Sequence, residues 1–162
     1  MRASSMLGAV AGAVGLALAG CGDARPVQTG SGSSFTVCPS NLAATFSSIN
    51  QNVFQQTCVA CHGPGGVGLA EGGLDLKTDP YHALVDVPAQ NNNAVPTPGP
   101  PAAFPKRVVP GHPEQSFLVK KLSITDQGGP FGSGMPQTSP GSVCPDTLTK
   151  IQQWIMAGAP ND

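Results

Sequence analysis

The sequence predicts an all-α fold with heavy loop content. Three observations point there. Apolar residues recur at helical spacing over residues 41–61 and again after Pro145. No Val- or Ile-rich run alternates with polar residues between hairpin signals. Finally, 21 glycines and 17 prolines leave long irregular connections. A small apolar core with so few regular elements is marginal, so a cofactor or a cross-link is expected to supplement it.

The first 20 residues read as a leader. Met1-Arg2 is followed by an uncharged run of 15 small and apolar residues, too short to span a bilayer and suited to a signal-peptide core. The run ends in Leu18-Ala19-Gly20-Cys21, which resembles the lipobox of bacterial lipoproteins, where cleavage precedes a lipid-bearing cysteine. An ordinary signal peptide with an incidental cysteine is the plainer alternative. Several acyl chains on Cys21 would anchor the chain firmly, at about 0.8 kcal/mol per buried methylene. Residues 21–37 are then the lipidated N-terminus and a Gly/Ser-rich flexible tether. No second long apolar run follows, and export through the leader places the body on the periplasmic side or at the outer membrane.

Folded sequence is expected over residues 38–162. In residues 41–61, Leu42, Phe46, Ile49, Val53, Phe54, Cys58 and Cys61 share one helical face, with Pro39 and Ser40 as the start. The run His62-Gly63-Pro64-Gly65-Gly66 stops that helix, because glycine accepts positive φ and Pro64 cannot continue it. Residues 67–87 are weakly patterned, with a helical turn near 81–85, and 88–105 form a Pro/Asn-rich loop. The stretch HPEQSFLVKKLS reads as a short helix with Phe117, Leu118 and Leu122 as its apolar side. A Gly/Pro loop over 125–143 leads to the last helix. There Pro145 takes the first position, Leu148, Ile151, Trp154 and Ile155 form a face, and Gly158 is the stop.

Charge excludes one class of partner. Eight Lys and Arg stand against nine Asp and Glu with no basic cluster, which argues against nucleic acid. The five cysteines sort into Cys21, the pair Cys58 and Cys61, and a leftover pair, Cys38 and Cys144, that reads as a disulfide in an oxidising compartment.

Chemistry concentrates in Cys58-Val-Ala-Cys61-His62. C-x-x-C-H is the haem c attachment pattern: two thiols add to the vinyl groups and the histidine falls beneath the iron as proximal ligand. A zinc site needs four ligands, and only the isolated Cys38 and Cys144 are available to complete His62 and the pair. A thioredoxin-like redox pair wants the motif at a helix N-terminus, whereas here it closes one. Haem also requires a distal ligand. Met135, between Gly134 and Pro136 in a polar loop, fits that need better than a core role. Met156 is a rival on the last helix, where packing is the simpler role, and His82 or His112 would give bis-histidine ligation. Asp75, Glu114 and Ser116 lack partners for acid–base or nucleophilic catalysis.

Taken together, CVACHG (58–63), GGLDL (72–76), RVVPGHPEQSFL (107–118), GMP (134–136) and IQQWIMAGAP (151–160) resemble a monohaem class I cytochrome c, and more narrowly the planctomycete-type cytochrome c domain. That resemblance implies a cytochrome c-like fold, with N- and C-terminal helices packed across each other around one covalent haem c. It further implies Cys58 and Cys61 as thioether sites, His62 and Met135 as iron ligands, and one-electron transfer with redox protein partners. Phe54 matches the aromatic at the helix crossing, opposite Trp154. Two features depart from the family motif. Residues 88–105 lengthen the middle, and Cys38 and Cys144 each open a helix of the packed pair, so a disulfide between them is predicted. Arg107 and Lys106 are the candidates to meet haem propionates in a chain with few cations, against the alternative of solvated loop charges. Two other functions compete with an electron carrier: a cytochrome subunit or peroxidase-like enzyme with an open distal site, and a non-haem lipoprotein in which CVACH is a disulfide or metal clip.

Overall fold

Residues 36–90 and 104–162 are described by the computed structural model. The expected leader, Cys21, most of the tether and the centre of the Pro/Asn-rich loop lie outside the described residues. The described chain falls within one compact unit, Ser33–Asp162. It is partly helical, with isolated bridges instead of sheet among the described residues. In order come α1 (Phe46–Ile49), a π-helix (Asn50–Cys58), α2 (Val67–Gly72), α3 (Pro80–Leu84), a 3-10 turn (Pro113–Gln115), α4 (Phe117–Ser123) and α5 (Pro145–Met156).

The first helix starts later than its apolar pattern suggests. Asn41 sits at φ 62°, a left-handed conformation that no α-helix passes through. The helix therefore begins at Phe46, where Thr45 Oγ1 accepts from the Ser48 N–H at 3.3 Å. Asp162 completes this start. Its carboxylate accepts from the Phe46 N–H at 2.8 Å and its main-chain oxygen from the Ser47 N–H at 2.9 Å, placing negative charge at a helix N-terminus.

From Asn50 the winding widens to i→i+5 bonding, which the apolar spacing does not reveal. Side chains follow the same step: Gln55 Nε2 donates to Asn50 Oδ1 at 3.1 Å and Gln56 Nε2 to the Gln51 carbonyl at 3.2 Å. Val53 and Phe54 are both buried.

The last helix forms as its sequence predicts. Pro145 occupies the first turn, Ile151, Trp154 and Ile155 are fully buried, and Gly158 closes it at φ 97°. Each buried Ile or Trp side chain stabilises by about 1.5–3 kcal/mol. Met156 departs from expectation: it does not pack but stands 66% exposed. The ring that pairs with Trp154 also differs, being Phe46 at 5.6 Å between centroids and not Phe54. Tyr81 stands edge-on to Phe46 at 5.1 Å, and its hydroxyl donates to the Ala159 carbonyl. Trp154 Nε1 donates to the Pro160 carbonyl at 2.9 Å, so both polar handles of this cluster are satisfied by one C-terminal turn.

Cys38 and Cys144 are joined in a disulfide, with Cα atoms 5.3 Å apart. Local pairing surrounds it. Val37 and Val143 form a parallel bridge, the Val37 carbonyl accepts from the Cys144 N–H, and the buried Thr147 hydroxyl donates to the same carbonyl at 3.1 Å.

The predicted middle helix is broken in two. Ser116 has extended backbone between the 3-10 turn and α4. It is fully buried, its hydroxyl donating to the His112 carbonyl at 2.9 Å and accepting from the Val109 N–H at 2.9 Å. The break turns α4 so that Phe117, Val119, Lys121 and Leu122 are buried while Leu118 is only partly so.

Candidate functional site

The π-helix delivers the motif. Its C-cap is Val59, and the N–H groups of Cys61 and His62 both donate to the Cys58 carbonyl, which folds the C-x-x-C-H segment into a single tight turn. Cys58 and Cys61 are both free thiols. Cys58 sits against the core, and its Sγ reaches the Val53 carbonyl at 3.8 Å, while Cys61 is exposed. Burial, with the neighbouring Cys61 adding to it, pushes the Cys58 thiol up to about 12. That is the opposite of the lowered pKa of a redox-active thiolate.

His62 is half-buried, and its Nδ1 is enclosed without a hydrogen-bond partner. Burial lowers its pKa, the Leu74 carbonyl opposes that shift, and the charges of Arg107 and Lys121 add to it. These shifts favour the neutral imidazole, the form in which it donates an electron pair to a metal. A close backbone makes room for the ring: a Cβ on Gly68 would stand 2.5 Å from His62 Cε1 and Nδ1. The Gly68 N–H donates to the Cys61 carbonyl, and the Leu76 N–H to the His62 carbonyl at 2.7 Å. Gln55 of the π-helix closes this strap by donating from Nε2 to the Leu76 carbonyl at 2.6 Å.

Two buried cations border the site. Arg107 is 7% exposed and donates from Nη1 to the Ala83 carbonyl at 2.7 Å and from Nη2 to the Gly72 carbonyl at 2.9 Å. Lys121, 8% exposed, donates from Nζ to the carbonyls of Phe131 and Ser133 at 3.2 and 2.5 Å. Burial lowers the pKa of both, and among the described residues neither forms an ion pair. Lys106, considered beside Arg107, lies outward and pairs with Asp86 at 2.7 Å.

Met135 is partly buried against the core, and its N–H donates to the Lys121 carbonyl at 2.8 Å. The rival ligands are elsewhere. His82 pairs with Asp79 at 2.9 Å and His112 with Glu114 at 3.0 Å, both at the surface. Cys38 and Cys144, the other cysteines among the described residues and the ones considered for completing a zinc site, are bonded to each other. Among the described residues no three His, Cys, Asp or Glu side chains gather to hold a metal ion.

Lys121 and Gly68 carry no motif. A signal for Lys121 does exist: it stands four residues after Phe117, on that residue's face of the short helix, where a lysine is out of place. Gly68 has no such signal, because its role depends on where the imidazole of His62 turns. Compared with known protein families, characterised proteins and solved structures, the chain matches none of them.

Proposed function

We propose that the chain belongs to the covalent haem c proteins. Within that class we read it as a one-electron carrier held at a bacterial membrane by a lipid on Cys21. The observation that carries the reading is His62, a neutral, half-buried imidazole with an unpartnered nitrogen, directly after two free cysteines on one turn. Cys58 and Cys61 would hold the haem through thioethers, His62 would be the proximal ligand, and Met135 the distal one. A haem so held supplies a reversible one-electron couple.

The chain's own residues have definable tasks toward it. Gln55 and Leu76 orient the segment behind His62, and Gly68 gives the imidazole its space. Arg107, a buried cation bonded only to carbonyls, is suited to face an acidic group such as a propionate. Lys106 has Asp86 as its partner and is the weaker candidate for that role. Redox proteins are the expected partners.

The test is expression of the full chain in a host with haem c maturation. Expected are haem-associated peroxidase staining that survives denaturing electrophoresis, an α-band on reduction, and loss of both in a Cys58→Ala/Cys61→Ala double variant. Met135→Ala should abolish the weak red-edge band of methionine-ligated ferric haem. A chain with no covalent haem under these conditions overturns the reading.

A further inference from the structure

Lys121 is the least expected of the buried side chains, and its ammonium and its carbonyl both act on one loop. Its ammonium donates to the carbonyls of Phe131 and Ser133, while its own carbonyl accepts from the Met135 N–H. Three attachments thus run from one residue of α4 to a five-residue stretch of loop. A fourth comes from the same helix's exit, where the Asp126 carbonyl accepts from the Gly134 N–H at 3.0 Å. Gly134 fits there only without a side chain, since a Cβ would collide with the Ile124 carbonyl. Charge-assisted bonds of this kind are stronger than neutral ones, and a buried ammonium is held in place by its need to keep them. The Lys121 ammonium also lies over the Phe117 ring, with Nζ 5.7 Å from its centroid, which leaves the head little freedom.

We propose that Lys121 is the positioning residue for Met135: by clamping 131–135 onto α4 it fixes where the loop presents the thioether. This rests on the haem reading, in which Met135 is the distal ligand. Without the clamp the loop loses its charged attachments, the thioether leaves the site more often, and a competing ligand enters more easily.

The experiment uses the haem-loaded full chain as wild type, Lys121→Met, Lys121→Gln and Lys121→Arg. Met keeps an unbranched stem without the charge, Gln keeps a neutral donor, and Arg keeps a charged one. Two quantities are read, the red-edge band of methionine-ligated ferric haem and the affinity for added imidazole. Expected in Lys121→Met is a weakened or absent band, with imidazole bound about tenfold more tightly or more. Lys121→Gln should lie between, and Lys121→Arg should behave as wild type. A lysine that serves stability alone predicts a lower melting temperature with band and imidazole affinity unchanged, and that result overturns the assignment. If Lys121→Met yields no folded holoprotein, the same decision is read from Lys121→Gln against Lys121→Arg. A wild-type chain that acquires no haem overturns the haem reading and this assignment together. A haem-loaded Lys121→Met that keeps its band and its weak imidazole binding overturns this assignment alone.

Discussion

Replacing Cys38 and Cys144 together by serine should cost the fold a large part of its stability. The bond closes a loop with a sequence separation of 106 residues. In the chain-entropy model such a loop restricts the unfolded ensemble by about 4.8 kcal/mol at 25 °C, and native disulfides of small secreted domains deliver about 2–5 kcal/mol. Local contacts decide how much of that figure survives. The Val37–Val143 bridge, the Cys144 N–H bond to Val37 and the Thr147 hydroxyl all remain in the variant, so the folded ends stay together. The loss then acts on the unfolded chain. Urea unfolding of oxidised wild type and double variant should show a stability difference of about 2–5 kcal/mol, with a melting temperature lower by roughly 8–20 °C. The urea m-value should rise in the variant, because an uncrosslinked chain exposes more surface on unfolding. A difference below about 1 kcal/mol with an unchanged m-value would refute loop closure as the source of stability.

Other perturbations test the site and its supports. Gly68→Ala should lower haem incorporation, because its Cβ meets the His62 ring, whereas Gly72→Ala, with open space around it, should leave incorporation unchanged; haem content per protein decides between them. Ser116→Ala should destabilise by about 1–3 kcal/mol in thermal or urea unfolding, since the part-buried Val109 N–H loses its acceptor, while the His112 carbonyl keeps only the Gln115 N–H. Cys21→Ser should move the chain from the membrane fraction to the soluble periplasmic fraction.

Much of the helical framework was legible because its signals are local. Pro145, the Ile151–Trp154–Ile155 face and Gly158 are capping and burial cues within one turn or two of the helix they define. The disulfide was legible from cysteine arithmetic; of the two helix starts expected around it, Cys144 does cap α5, whereas Cys38 lies eight residues before α1. Winding is another matter. Nothing in the 49–54–58 spacing separates a π-helix from an α-helix, because apolar residues stand both four apart (Ile49 and Val53, Phe54 and Cys58) and five apart (Ile49 and Phe54, Val53 and Cys58). The start at Phe46 was hidden for a different reason, since it depends on Asn41 entering left-handed space and on Asp162 reaching back to cap the helix. Of the candidate site, the C-x-x-C-H residues were readable as a motif. The groups that hold them, Gln55 and Gly68, act across the fold and leave no pattern in the chain, while Lys121 leaves only its place on the Phe117 face of α4.

The two buried cations share a logic that follows from composition. Only 10% of the chain is charged, and its loops are rich in Gly and Pro, which contribute little apolar bulk and few backbone hydrogen bonds of their own. Such loops need anchors. Arg107 joins the end of α2 to α3 through the Gly72 and Ala83 carbonyls, and Lys121 joins α4 to the Met135 loop. Each therefore satisfies main-chain carbonyls that lack a ladder partner, at the expense of burying an ammonium or guanidinium without a carboxylate. A neutralising carboxylate at either place would lower that burial cost, and among the described residues neither place has one. Burial weakens the hold of His62 on a proton, and the charges of the pair add to that effect. Loop anchoring and the electrostatics of the site are thus supplied by the same two side chains, so a substitution at either is expected to shift both.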